Sequence, residues 1–383
     1  MTRTIVDISV LQTVPPSNIN RDDTGSPKTA VYGGVRRARV SSQAWKRAAR
    51  LDFSERLDTS DLGTRTKRVA ELLADAITKR NPAVDADRAQ ELAELVFKAA
   101  GIKLTAPRKS KDEESLPPEA GYLLFLSARQ IERLAEVAVD AEASEDAAAS
   151  IKAAKVKTLL DLEHSVDISL FGRMVAEATD LNVDAAAQVA HALSIHPVEN
   201  EFDYYTAVDD HKSADDEEDA GAGMIGTVEF NSSTLYRYAT VDVDALRRNL
   251  GDASDGASAT QRAVEAFVES FVRSLPSGKQ NTFANRTLPD AVVISVRDSQ
   301  PVNLVGAFEE PVAGTHRIAE GARRLAEYAQ SVDGAYGTAP VSGWVVRVSD
   351  AAAPLDSLGE RVGLDDAVAQ LGRAVAERLT DTP

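Results

Sequence analysis

TIVDISVLQTVPPSNINRDDTGSPKTAVYGGVRRARVSSQAWKRAARL, residues 4–51, holds three local signals in one stretch. TIVDISVLQ at 4–12 alternates apolar and polar positions, the period-two pattern of a half-buried strand. Pro15 to Gly34 is rich in Pro, Asn, Asp and Gly and reads as a long loop, a length that usually carries function. A helix starts at Ser41 or Ser42, whose hydroxyls suit an N-cap, and SQAWKRAARL places Lys46, Arg47 and Arg50 on neighbouring positions.

Helical spacing of Leu, Ala and Val predicts helices over 63–80 and 86–100, and an Ala-rich helical stretch over 128–160 broken near Ser144–Asp146. YLLFLS at 122–127 reads as a buried strand. Residues 170–181 and 183–196 read as a turn and a helix. EFNSSTLYRYATVDV predicts a strand, 257–275 a helix, 291–298 a strand, 317–331 a helix and GWVVRVS a last strand. Taking 4–12, 42–51, 122–127, 227–241, 257–275 and 291–298 gives the order strand, helix, strand, strand, helix, strand. That is the ferredoxin-like order of RNA-recognition-motif domains, within an α+β class. No internal repeat has solenoid spacing.

With 383 residues, 43% of them hydrophobic, the chain can bury a substantial core. It has no cysteine, which excludes disulfides, thiolate metal sites and a cysteine nucleophile. No run approaches the roughly 20 apolar residues of a membrane span, and the start lacks the apolar stretch of a signal peptide. A cytoplasmic location is the expectation. The net charge of −17 argues against indiscriminate nucleic-acid binding. Its distribution is uneven, however. Residues 1–50 hold nine basic and three acidic side chains, a local +6, which leaves −23 for the remainder. A basic strip on an acidic body suits a protein that grips one polyanion along one groove, and it also suits simple solubility.

Three constellations stand out. In GGVRRARVSSQAWKRAAR, residues 33–50, Arg36, Arg37 and Arg39 lead into Ser41, Ser42 and Gln43 at a helix start. Unpaired N–H groups, hydroxyls and guanidinium groups at one place suit a phosphate, although a capped helix with solvated charges accounts for the same residues. SGKQNTFANR, residues 277–286, offers Lys279, Gln280, Asn281, Thr282 and Asn285 to phosphate, ribose or base edges, or is a polar turn. FDYYTAVDD, residues 202–210, sets Phe202, Tyr204 and Tyr205 before an acidic, Gly-rich segment. Such aromatics stack on bases or pack the base of a loop, and alternation points Phe202 and Tyr204 one way and Tyr205 the other.

Catalytic signals are thin. His191 and His196 are five apart, not the i, i+4 spacing of a zinc helix, and each of the five histidines reads as a residue without a special role. There is no GxSxG, no phosphate-binding P-loop and no dinucleotide fingerprint. Asp22–Asp23 and Asp209–Asp210 are carboxylate pairs able to hold Mg²⁺ or to be ordinary loop acids.

NINRDDTGSPKTAVYGGVRRARVSSQAWKRA, FGRM at 171–174, YTAVDD at 205–210, GTVEFNSSTLYRYATVDVDAL at 226–246 and GKQNTFA at 278–284 follow one another in an order that resembles the CasC backbone subunit of the type I-E CRISPR Cascade complex. The resemblance implies a palm of recognition-motif type at 1–54 and 229–383, a helical fingers region at 55–195 with some palm elements, and a long thumb loop at 197–228. It implies a non-catalytic, oligomerising subunit that binds guide RNA. The other partners implied are the target DNA strand paired to the guide, further copies of the chain and other Cascade subunits. No cofactor, metal or membrane is implied. Carried over by motif, Arg21, Arg36, Arg39, Ser41, Gln43, Lys46 and Arg47 hold the guide backbone, joined by Lys279 and Asn281. Tyr205 and Thr206, with Met174 opposite, form a wedge at a kink in the strand. The acidic HKSADDEEDAGAGM expansion and a tyrosine at 205, in place of an apolar aromatic, depart from the family pattern. The alternative is a metal-dependent ribonuclease related to type III backbone subunits, with Asp22 and Asp23 in its N-terminal loop.

Overall fold

The strand expected at 4–12 is β1 (Ile5–Ser17), and it is buried on both faces, not one. In the computed structural model, which describes residues 3–106, 117–175, 178–207, 224–251 and 256–380, β1 lies inside a large sheet with its neighbours on both sides. β2 (Thr29–Tyr32), inside the stretch 15–34 expected as loop, pairs with β3 (Val35–Val40) in a hairpin. The two residues between them, Gly33 and Gly34, both take positive φ (59° and 76°), as a tight two-residue hairpin turn demands. α1 (Ser42–Asp52) follows.

Next in chain order come β4 (Gly63–Thr66), α2 (Val69–Arg80), α3 (Ala86–Ala99), β5 (Leu104–Thr105) and β6 (Glu119–Ala120). Then β7 (Leu124–Ser127), α4 (Ala128–Glu142), α5 (Ala147–Ala153), α6 (Val156–Leu159) and α7 (Val166–Phe171). β8 (Ala187–Val189), β9 (Ala192–Ser194), β10 (Glu201–Ala207) and β11 (Met224–Asp242) precede α8 (Val243–Leu250) and α9 (Gly256–Arg273). α10 (Gln280–Phe283), β12 (Ala291–Arg297), α11 (Arg317–Tyr336), β13 (Ser342–Arg347), β14 (Glu360–Arg361) and α12 (Leu364–Thr380) complete the chain.

Two compact units result. One joins Met1–Asp52, Val189–Thr240 and Phe267–Pro383; the other joins Phe53–Gln188 and Val241–Ala266. The class is α+β with a large mixed sheet of strand order β14-β13-β12-β1-β11-β9-β3-β2. β1 pairs antiparallel with β12, Ile8 opposite Ile294 and Val10 opposite Val292. Parity along β11 separates the faces of the sheet in the first unit. Tyr236 and Tyr238 join a core with Leu11, Val293, Phe308 and Leu325 of α11. Arg237, one position along, points to the other face, where its guanidinium lies 3.8 Å from the Trp45 ring centre and 4.5 Å from that of Phe271.

The second unit buries the apolar stripes of α2, α3 and α4 in one core that includes Leu73, Phe97 and Leu134. Ser127 starts α4 with a reciprocal capping box, its Oγ accepting the Gln130 N–H while Gln130 Oε1 accepts the Ser127 N–H. Other local expectations fail, the helix expected from 63 among them, since 63–66 form β4 and the helix starts at Val69. Residues 124–127 pair with β4 in this unit, so they are no strand of the large sheet. The segment 183–196 is no helix: its Ala-rich sequence favours one, but Leu193 pairs with both Arg39 and Tyr236, and sheet pairing overrides the weak local preference.

Candidate nucleic-acid interface

The three arginines of the β2–β3 hairpin divide by burial. Arg36 is exposed, whereas Arg37 is fully buried and donates to four backbone carbonyls: Tyr32 (3.1 Å), Ser194 (3.0 Å), Phe308 (3.0 Å) and Glu309 (3.1 Å). Burial lowers the Arg37 pKa from its ordinary value. Its job is therefore to lock the hairpin, which corrects its grouping with the phosphate donors. Gly33 belongs to the same lock, because any Cβ there would collide with the Glu309 carbonyl. Arg39 is half-exposed, with Nε donating to Thr29 O at 3.2 Å.

Helix α1 is held by Trp45 and Ala49 on its inner face. Gln43 and Arg47 face outward, and Lys46 is half-buried, with burial lowering its pKa. Ser41 is buried as the N-cap: its Oγ accepts the Ala44 N–H at 3.4 Å and its own N–H donates to Asn20 Oδ1 at 2.8 Å. The Ser42 N–H donates to His191 Nδ1 at 3.2 Å. The N–H groups of Ser41, Ser42 and Ala44 are thus already used inside the protein.

The second polar segment comes to the same place. Gly278 sits against the carbonyls of Asn18 and Ile19, too close for any side chain, and Lys279 takes a left-handed conformation (φ 47°). Lys279 is half-buried and Asn281 exposed. Asn18 Nδ2 donates to Gly25 O and Glu229 O, both at 2.9 Å, which ties the 18–28 loop to β11. Arg21 is exposed on that loop. Asp22 closes its turn: Oδ1 accepts from Thr24 Oγ1 (2.7 Å), Thr24 N (3.0 Å) and Ser26 N (3.0 Å). The Thr24 hydroxyl, foremost, holds its pKa below the usual carboxylate value. Among the described residues, no group of three or more His, Asp or Glu side chains could hold a metal ion.

Residues 201–207 were expected within a loop but form β10, paired antiparallel with β11. Tyr205 is opposite Gly226, and its ring fills the space where a Cβ at 226 would stand. It remains 41% exposed, while Phe202 and Tyr204, on the other face of the strand, are 67% and 63% exposed. Thr206 is exposed opposite Ile225. Asp209–Asp210 and the acidic expansion lie outside the described residues.

In the second unit, FGRM is explained by its own geometry. Gly172 takes φ 79° against the Val183 carbonyl. Arg173 is buried and donates to the carbonyls of Leu181 (2.7 Å), Leu160 (2.8 Å) and Phe125 (3.3 Å). The next residue, Met174, is left 84% exposed.

The described residues of these blocks thus include both buried locks, Arg37 and Arg173, and exposed side chains, Arg36 and Met174. The family model described as CT1975-like protein matches residues 6–370. The chain belongs to the CT1975-like protein family. A chain of a solved "CRISPR RNA-guided surveillance complex, pre-nicking" is similar to this CT1975-like chain at 36% identity and a TM-score of 0.78, covering 96% of this chain and 100% of that one. A chain of a second "CRISPR RNA-guided surveillance complex" is similar at 31% identity and a TM-score of 0.70, covering 96% and 99%. No curated protein sequence matches the chain. These matches bear out the resemblance drawn from the ordered blocks.

His191 is the residue that reading the CT1975-like sequence missed. Its Ala-rich surroundings favour a helix and mark no role for it, whereas it precedes β9 and meets the start of α1. Nothing local signals this, because the contact spans 149 positions of chain.

Proposed function

We propose that this protein is a non-catalytic guide-RNA-binding backbone subunit of a type I-E Cascade complex, with copies arranged side by side along the guide and the target DNA strand pairing to it. The observation that carries the reading is the convergence of two distant polar segments. Gly278 seats 278–285 on Asn18–Ile19, and Asn20 accepts the Ser41 N–H, so Lys279 and Asn281 come to the loop that carries the exposed Arg21 and that meets the start of α1. On a chain of net charge −17, one local cationic surface suits a phosphate backbone held in one groove. The similarity to chains of RNA-guided surveillance complexes supports the same reading.

The ferredoxin-like palm is supported by the run β12-β1-β11-β9 within the large sheet, with β9 in place of 122–127 as the second strand. The fingers correspond to the helical second unit, and the thumb to the arm that leaves on β10 and returns on β11. Arg39, Ser41 and Lys46 support the RNA-facing surface, Ser41 through the cap it provides for α1. The wedge at the kink is assigned to Tyr205 and Thr206, with Met174 opposite.

Mass measurement of the purified chain with and without guide-length RNA, repeated across a salt series, tests the proposal. RNA-dependent assembly that weakens steeply with salt is expected; a chain whose mass ignores RNA at low salt overturns it. Incubation of the assembled complex with complementary RNA and Mg²⁺ tests the ribonuclease alternative, and intact RNA is expected.

A further inference from the structure

His191 lies beside Arg39, one of the residues proposed to hold the guide backbone, yet no motif marks it. Its position follows from strand register. Leu193 pairs with Arg39, and His191, two residues earlier, projects to the same face. Thr29 pairs with Ala38, and the Arg39 N–H donates to Lys28 O at 2.9 Å, so Lys28 stands opposite Arg39. Lys28, Arg39 and His191 therefore form one patch across three neighbouring chain segments. Lys28 and Arg39 also wall a small cleft with Asn20, Asn231 and Ser233.

The hydrogen bond from the Ser42 N–H to Nδ1 decides which proton the imidazole carries. A nitrogen that accepts cannot also hold a proton, so the neutral ring carries its hydrogen on Nε2. Nε2 has no hydrogen-bond partner among the described residues, and the side chain is exposed. Charging the ring would set two donors, Nδ1–H and the Ser42 N–H, against each other. Burial, then Arg39, then Lys28 also lower the His191 pKa, and no carboxylate stands among the groups that act on it. The groups that face the ring are the Ser42 N–H from α1, Arg39 from β3 and Lys28 from the segment before β2.

We propose that His191 is a further RNA-backbone ligand, a neutral imidazole that donates its Nε2–H to a phosphate oxygen held between Lys28 and Arg39, with Ser42 fixing the tautomer. This rests on the guide-RNA reading above. Lys28 and Arg39 supply the charge, and His191 supplies direction. The helix start of α1 orients the imidazole through the Ser42 N–H.

Two substitutions separate the ring's two nitrogens. His191→Asn keeps an acceptor near the Nδ1 position and removes the Nε2 donor. His191→Gln reaches the Nε2 position with an amide N–H and gives up the acceptor to Ser42. Binding of the full chain to guide-length RNA is measured for each across a salt series at about pH 7.5, with Lys28→Ala as the charged comparison. His191→Asn is expected to weaken binding about 3- to 10-fold, the loss of one hydrogen bond, and His191→Gln by less than about twofold. Neither changes the salt slope, whereas Lys28→Ala reduces it by about 0.7. The inference is overturned if Asn retains affinity while Gln loses it, since His191 is then only a cap for α1. Equal loss in both with a lowered melting temperature, or no loss in either, overturns it as well. So does affinity that rises as pH falls from 8 to 7 in the wild type and not in His191→Gln, since the ring then binds as a cation. If wild-type protein shows no salt-sensitive RNA binding at all, the guide-RNA reading fails first.

Discussion

Tyr205 covers its cross-strand partner Gly226, the phenol ring standing 2.5 Å from where a Cβ at 226 would be built. An aromatic laid over a cross-strand glycine shields bare backbone and keeps the ring in one orientation. The wedge side chain proposed at the RNA kink is thus pre-set by a glycine on the facing strand and does not depend on the core.

Tyr205→Ala should therefore shift the stability of the free chain by less than about 1 kcal/mol, the scale of one cross-strand pair. In the assembled complex, chemical footprinting of the guide should lose its periodic exposed nucleotides. Gly226→Ala should displace the ring and disturb the footprint in the same way with Tyr205 still present. A Tyr205→Ala chain that melts far below wild type contradicts the peripheral placement of this side chain.

Arg36 and Arg37 are neighbours with opposite predicted phenotypes. Arg37→Ala strips four backbone carbonyls of their donor and should destabilise by about 3 kcal/mol or more in denaturant titration. Arg36→Ala should change stability by no more than about 0.5 kcal/mol and lower the salt slope of RNA binding by about 0.7. Unrelated guide sequences should bind alike at matched salt, because the Arg and Lys side chains assigned to the guide suit phosphates, which carry no sequence information. A strong preference for one sequence contradicts this.

Asp22→Asn combined with Asp23→Asn should leave any trace RNA cleavage unchanged. One oxygen of Asp22 is committed to Thr24 and Ser26 in the 22–26 turn. The folded Asp22 pKa is lowered, so its contribution to the turn is present above the ordinary carboxylate range and is lost as pH falls through the depressed value. Cleavage that disappears in the double variant revives the ribonuclease alternative.

Thermal stability should decline on acidification between about pH 6.5 and pH 4, with His196 as one source. His196 is buried and neutral: Nδ1–H donates to Pro197 O at 2.8 Å, and Nε2 accepts the Thr234 N–H at 3.0 Å. Burial foremost, with Arg317 and Arg37 adding to it, lowers its pKa to about 4. The unfolded chain takes up a proton below about 6.5 that the folded chain refuses, so stability is full above that pH and falls below it. The loss is on the order of 3 kcal/mol by pH 4. His196→Gln should flatten that part of the melting-temperature profile; an unchanged profile assigns the decline to other groups.

The sequence by itself determined what short-range chemistry governs. The helix start at Ser41 or Ser42, the amphipathic α1, the Leu and Ala stripes of α2, α3 and α4, and the apolar run of β12 follow from capping, periodicity and propensity within a few residues. The tertiary structure alone decided the long-range matters. Arg36 and Arg37 are the same residue type side by side, and only the Phe308 and Glu309 carbonyls, some 270 positions away, make one a lock and leave the other exposed. Residues 192–194 became strand and not helix because Leu193 found partners in β3 and β11, and sheet hydrogen bonds outweigh an alanine-rich local preference. β7 joined β4 and not the large sheet for the same reason: a short apolar strand carries no address for its partner. His191 received its tautomer from Ser42, a backbone donor that no reading of its own neighbours could supply.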